Sequence, residues 1–139
     1  MCRAVQQLCC LFKRCEALPI AMTIASNTVT ALVALLHAYF LVLEMFLWTK
    51  PAGRKAFGLT LEQANATKVL AANQGLYNGF LAAGLVWGIL LGAAGTHVKL
   101  FFLTCVLIAG IYGAWTASRK ILFIQGLPAG IGLVLTWFS

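Results

Sequence analysis

Three polar residues in an otherwise apolar stretch, Thr30, His37 and Glu44, are spaced by seven. At about 100° per residue, a step of seven returns to within about 20° of the same helix face. Trp48 falls on that face as well, so a hydroxyl, an imidazole, a carboxylate and an indole form one stripe. A second group, Asn73, Gln74, Tyr77 and Asn78, consists of two pairs four residues apart covering about 140° of arc. Further along lie Tyr112, Trp115 and Gln125, the last followed by Pro128. Polar side chains in apolar surroundings are costly, so each calls for a role. A carboxylate beside amides and aromatic faces can act as counter-ion to a cation, hydrogen-bond an amphipathic ligand, or carry a proton. Nothing here has the spacing of a nucleophile elbow, a phosphate loop or a His-rich metal motif.

These residues are carried by four apolar stretches, about 27–48, 69–92, 98–117 and 121–138. Each has about the 17–25 residues needed to cross a bilayer as a helix. The chain of 139 residues is 62% hydrophobic and 9% charged, too apolar for a small water-soluble domain to bury. The expected fold class is all-α, an integral membrane four-helix transmembrane bundle with spans at those positions in a domain of residues 22–139. Pro51, Gly53 and Gly58 mark the long first connection as turn-rich. Thr60-Leu61-Glu62-Gln63 has the form of a capping box, which starts the second helix near Leu61. Gly84, Gly88 and Gly92, and separately Gly75 and Gly79, read as positions of close helix packing. Pro128 removes a donor to the carbonyl of Ile124 and predicts a bend there.

The net charge of +7 falls between the apolar stretches and reads as topology and headgroup contact, not nucleic-acid binding. Lys50, Arg54, Lys55, Lys68, Arg119 and Lys120 occupy the first and third connections, with Lys99 alone in the second. The first and third connections are therefore expected on the cytoplasmic side of a bacterial inner membrane, with both termini outside. Arg3, Lys13 and Arg14 weaken that contrast. Residues 1–21 hold Cys2, Cys9, Cys10 and Cys15 and end near a break at Pro19. They are expected to be a disordered or natively untranslated extension, with Met22 a natural start. Adjacent Cys9 and Cys10 suit no tetrahedral ion, and no metal, cofactor or disulfide framework is expected.

Three segments carry a resemblance. They are Leu35-Leu36-His37-Ala38-Tyr39-Phe40-Leu41-Val42-Leu43-Glu44-Met45-Phe46-Leu47-Trp48, Lys68-Val69-Leu70-Ala71-Ala72-Asn73-Gln74-Gly75-Leu76-Tyr77-Asn78-Gly79-Phe80-Leu81-Ala82, and Gln125-Gly126-Leu127-Pro128-Ala129. From Met22 onward the chain resembles the bacterial predicted inner-membrane proteins of the family named domain of unknown function 1304. The resemblance implies a small multi-span membrane protein and no particular activity.

By depth, Glu44 lies roughly 6 Å inside the end of its span. Asn73 to Asn78, Trp115 and Gln125 share its cytoplasmic half, while the outer half reads as an apolar plug. The reading favoured is a cytoplasm-side cavity around Glu44, with His37, Trp48, Asn73, Gln74, Tyr77, Asn78, Trp115 and Gln125 as candidate ligand-binding residues. It would hold a small amphipathic or cationic molecule for binding or transport, and transport through so few helices would need a homodimer. One alternative is a purely structural hydrogen-bond network. Another is a membrane enzyme acting on a lipid-like substrate, but its acid–base pair, Glu44 and His37, would sit about 10 Å apart along the axis, beyond direct bonding.

Overall fold

The computed structural model describes the backbone of residues 2–139 and the side chains of residues 19–139. Among the described residues it is all-α, without strands: α1 (Cys2–Met45), α2 (Pro51–Phe57), α3 (Leu61–Leu90), α4 (Thr96–Thr116) and α5 (Leu127–Trp137). A 3-10 turn, Gly92–Gly95, precedes α4, and a π-helical turn, Leu122–Gly126, precedes α5. α1 runs through Pro19, where the sequence suggested a break. The Thr23 hydroxyl donates to the Pro19 carbonyl at 2.9 Å, a bond back along the helix of the kind Thr commonly makes. Met1 and the side chains of residues 2–18 lie outside the described residues. The four N-terminal cysteines, the bases Arg3, Lys13 and Arg14, and most of the expected extension 1–21 fall there.

The turn-rich first connection contains a helix. Pro51 sits in the first turn of α2, where its missing N–H costs nothing and its fixed φ suits the helix. Gly58 closes the helix with φ 67°, a left-handed cap that disfavours a side chain. Thr60 then caps α3. Its hydroxyl accepts from the Gln63 N–H at 3.2 Å, and its own N–H donates to Gln63 Oε1 at 2.9 Å, satisfying two donors that a helix start otherwise leaves free. Pro128 lies at the start of α5, and the irregularity it brings is taken up in the preceding turn, where the Leu127 N–H reaches back five residues to the Leu122 carbonyl.

Two compact units divide the chain, Ala31–Val98 and Met1–Thr30 with Lys99–Ser139. In the first, α3 buries Ala71, Gly75, Asn78, Ala82 and Leu85, a seam of alternating four- and three-residue steps. Gly75 lies so near α1 that a Cβ built on it falls 3.0 Å from the Met45 nitrogen and 3.2 Å from both the Leu41 oxygen and Glu44 Cβ. In the second unit α4 buries Leu103, Val106 and Gly110, and α5 buries Ala129, Gly132 and Thr136. There Gly110 approaches the backbone of Gly126, with a built Cβ 2.7 Å from its Cα.

The buried set is mostly small or polar, with Leu43, Leu85 and Leu103 as its large apolar members, whereas many large apolar side chains, such as Leu35, Phe46, Leu70, Leu90, Phe101, Phe123 and Trp137, are exposed. Among the described residues, Pro19–Met45 and Gly92–Thr116 are the two helical stretches long and apolar enough to cross a membrane. Leu122–Trp137 is apolar but shorter, and α3 is diluted by Glu62, Lys68, Asn73, Gln74 and Asn78.

Candidate functional site

The stripe Thr30, His37, Glu44 is buried throughout. Glu44 stands one residue before α1 ends. Beyond it the chain turns through bends, with the N–H groups of Phe46 and Leu47 both reaching the Val42 carbonyl at 3.1 and 3.2 Å. The turn delivers Trp48 to a fixed place. Its indole N–H donates to Thr67 Oγ1 on α3 at 3.0 Å, and its ring centroid lies 4.8 Å from that of Phe57 on α2. Gly53 allows this, since a Cβ there would collide with the Leu47 carbonyl. Thr67 is held in turn by donating to the Gln63 carbonyl at 2.7 Å.

Glu44 Oε2 accepts from Asn78 Nδ2 at 2.7 Å, a buried bond between α1 and α3. The short distance is typical of a bond to a carboxylate. Among the described residues Oε1 accepts no hydrogen bond. Glu44, Trp48 and Asn73 line one cavity of about 420 Å³, together with Met45, Phe46, Thr49, Lys68, Val69 and Ala72. Asn73 donates from Nδ2 to the Val69 carbonyl at 3.1 Å, which leaves its side-chain oxygen as a second acceptor.

The remaining candidates are placed elsewhere. Gln74 is exposed, and Tyr77 is 61% exposed beside Phe80. Both therefore lie off the seam that carries Asn78. Trp115, 87% exposed, and half-buried Gln125 belong to the other unit. His37 is fully buried, and its Nδ1–H donates to the Val33 carbonyl at 2.8 Å; Nε2 has no partner among the described residues. Glu44 is thus bonded to Asn78 and His37 to its own backbone, and the two do not form an acid–base pair.

A second polar group was not anticipated. Lys99, counted in the sequence as a base of the second connection, lies in the first turn of α4 and is 2% exposed. Its Nζ donates to Asn27 Oδ1 at 2.9 Å. Ser26 and Thr136, both buried, share a hydroxyl–hydroxyl bond of 2.8 Å. The region expected to be an apolar plug therefore holds buried polar residues. The signal was available for Ser26, which continues the Thr30–His37–Glu44 face one turn earlier. It was not available for Lys99, because a lysine at the start of an apolar run ordinarily faces headgroups.

These features define an all-α chain with apolar helices of membrane-crossing length and a cavity beside a buried carboxylate. The chain belongs to the DUF1304 family, described as protein of unknown function, whose family model matches residues 31–137. It is also similar to the uncharacterized protein YpaA of Lactococcus lactis subsp. lactis (strain IL1403), at 30% identity over 119 residues. That alignment covers 84% of this chain and 100% of the relative. No solved structure matches. The matched region includes Glu44, Asn78 and the rest of the cavity lining.

Proposed function

We propose that this chain is a four-span integral protein of the bacterial inner membrane that binds a small amphipathic or cationic molecule in the Glu44 cavity. The membrane reading is supported by the distribution of side chains. Most buried residues are small or polar while most large apolar ones are exposed, which is costly in water and natural in lipid. In this reading the spans are those of the four apolar stretches, with the first and third connections cytoplasmic and both termini outside. Burial of Lys99 strengthens the expected orientation, because it withdraws the single base of the second connection from the surface.

The observation that carries the binding reading is the cavity itself. Three of the candidate residues, Glu44, Trp48 and Asn73, line one space of about 420 Å³, within the range of roughly 300–1,000 Å³ typical of small-ligand sites. A purely structural reading has one observation in its favour, the buried Glu44–Asn78 bond, which by itself would fix helix register. Glu44→Gln separates the two, since glutamine keeps an acceptor for Asn78 and discards the charge. Native mass spectrometry of protein purified in lipid nanodiscs is expected to show a co-purified ligand on the wild type and none on the variant. Equal ligand occupancy in both would refute the binding reading.

A further inference from the structure

The cavity is lined by one acidic and one basic side chain that are not bonded to each other. Glu44 and Lys68 both line it, yet the carboxylate's bond goes to Asn78 and not to the lysine. A purely cationic ligand would meet Lys68 as a repelling neighbour, and a purely anionic one would meet Glu44. The lining therefore suits a molecule bearing both signs. At the Glu44 end, Oε1 and the Asn73 side-chain oxygen are acceptors, and the Trp48 ring, held by Thr67 and Phe57, offers an aromatic face to a cation. This end matches a primary ammonium, which donates three hydrogen bonds.

The rim of the cavity is apolar. Met45, Phe46 and Val69 line it and are themselves exposed, so its mouth joins the apolar outer surface. Lys68 is the last residue before the apolar run of α3, and Glu44 lies one turn inside the end of its own. In a membrane this places Lys68 at the phosphate level and Glu44 just beneath it. The volume of about 420 Å³ accommodates a headgroup while leaving acyl chains to lie over the exposed rim.

Resting on the reading of the Glu44 cavity as a ligand site, we infer that its occupant is a zwitterionic aminophospholipid of the phosphatidylethanolamine type. Its ammonium sits at Glu44, Asn73 and Trp48, its phosphate at Lys68, and its chains over Met45, Phe46 and Val69. The full chain is placed in nanodiscs of equimolar phosphatidylethanolamine, phosphatidylcholine and phosphatidylglycerol, and the lipids retained on release are counted by native mass spectrometry. The wild type is expected to retain phosphatidylethanolamine about tenfold over either competitor, the scale of one charge-assisted contact. Glu44→Gln should abolish that preference. Lys68→Gln, at an exposed position where substitution is expected to leave folding intact, should lower phosphatidylethanolamine retention about tenfold. A parallel arm adds soluble phosphoethanolamine, which is expected not to displace the lipid; displacement at concentrations near those of the lipid would overturn a membrane source. Equal retention of the three lipids, or no effect of Lys68→Gln, also overturns the inference. A bound amine lost in Glu44→Gln and kept in Lys68→Gln overturns the lipid assignment and leaves the cavity's binding role standing. A ligand indifferent to both variants overturns both.

Discussion

Replacing Gly75 with alanine tests the seam on which the candidate site is built. A Cβ at Gly75 lies 3.0 Å from the Met45 nitrogen and 3.2 Å from the Leu41 oxygen and Glu44 Cβ. Two of these three atoms are backbone, so relief requires α1 to retreat by a few tenths of an ångström. Overpacking of this kind costs about 1–3 kcal/mol. Alanine's helix-propensity advantage of about 1 kcal/mol over glycine offsets this little in SDS unfolding, where the denatured chain keeps its helices. The expected loss is therefore about 1–2 kcal/mol, with weakening of the adjacent Glu44–Asn78 bond. Gly79→Ala is the control. Its Cβ would collide with Leu41 Cδ1, the end of a flexible side chain that can rotate aside, so its cost should stay below about 0.5 kcal/mol. SDS titration in bicelles, read by tryptophan fluorescence, measures both. Gly75→Ala as stable as wild type, or less damaging than Gly79→Ala, would refute the close approach of α1 and α3.

Three further outcomes follow from particular bonds. Asn78→Ala removes the donor to Glu44 Oε2 and is expected to cost about 1–2 kcal/mol in the same titration, whereas Gln74→Ala, at an exposed position, should change little. Asn27→Leu leaves the Lys99 ammonium without its acceptor and should destabilise more than Lys99→Met, which removes the buried charge and keeps the volume; the reverse order would show that Lys99 is not buried against Asn27. Thr60→Ala breaks the capping box and should cost about 1 kcal/mol, seen as faster amide exchange confined to the first turn of α3.

Much of the helical layout was legible because it depends on run length and local capping chemistry, which a sequence displays directly. The start of α3 at Thr60 is the clearest case, since both capping-box bonds follow from residue types three positions apart. α2 was missed because Pro51 and Gly58 are ambiguous. The same residues that signal a turn also open and close a short helix. On α3 the polar arc spans about 140°, yet a packing seam is narrower, so Asn78 enters it with Gly75 while Gln74 and Tyr77 stay exposed. The burial of Lys99 is not legible in its local sequence, because its acceptor Asn27 lies more than seventy residues away in the chain.

The buried polar residues of α1 can be ranked by what satisfies them. Ser26 bonds a hydroxyl on α5, His37 bonds its own helix at Val33, and Thr30 Oγ1 has no partner among the described residues. Each of these can be understood as packing with at most one hydrogen bond. Glu44 is different. Its bond to Asn78 could be made equally by glutamine, which accepts through its carbonyl and brings no ionisable group into an apolar setting. What glutamate adds at this position is a charge, or a proton to exchange, together with a second oxygen that Asn78 does not use. Those additions contribute nothing to helix packing and matter only to something that enters the cavity shared with Trp48, Lys68 and Asn73. A structural network therefore explains Asn78 but not the choice of carboxylate opposite it, and so the Glu44→Gln substitution is the one on which the binding reading stands or falls.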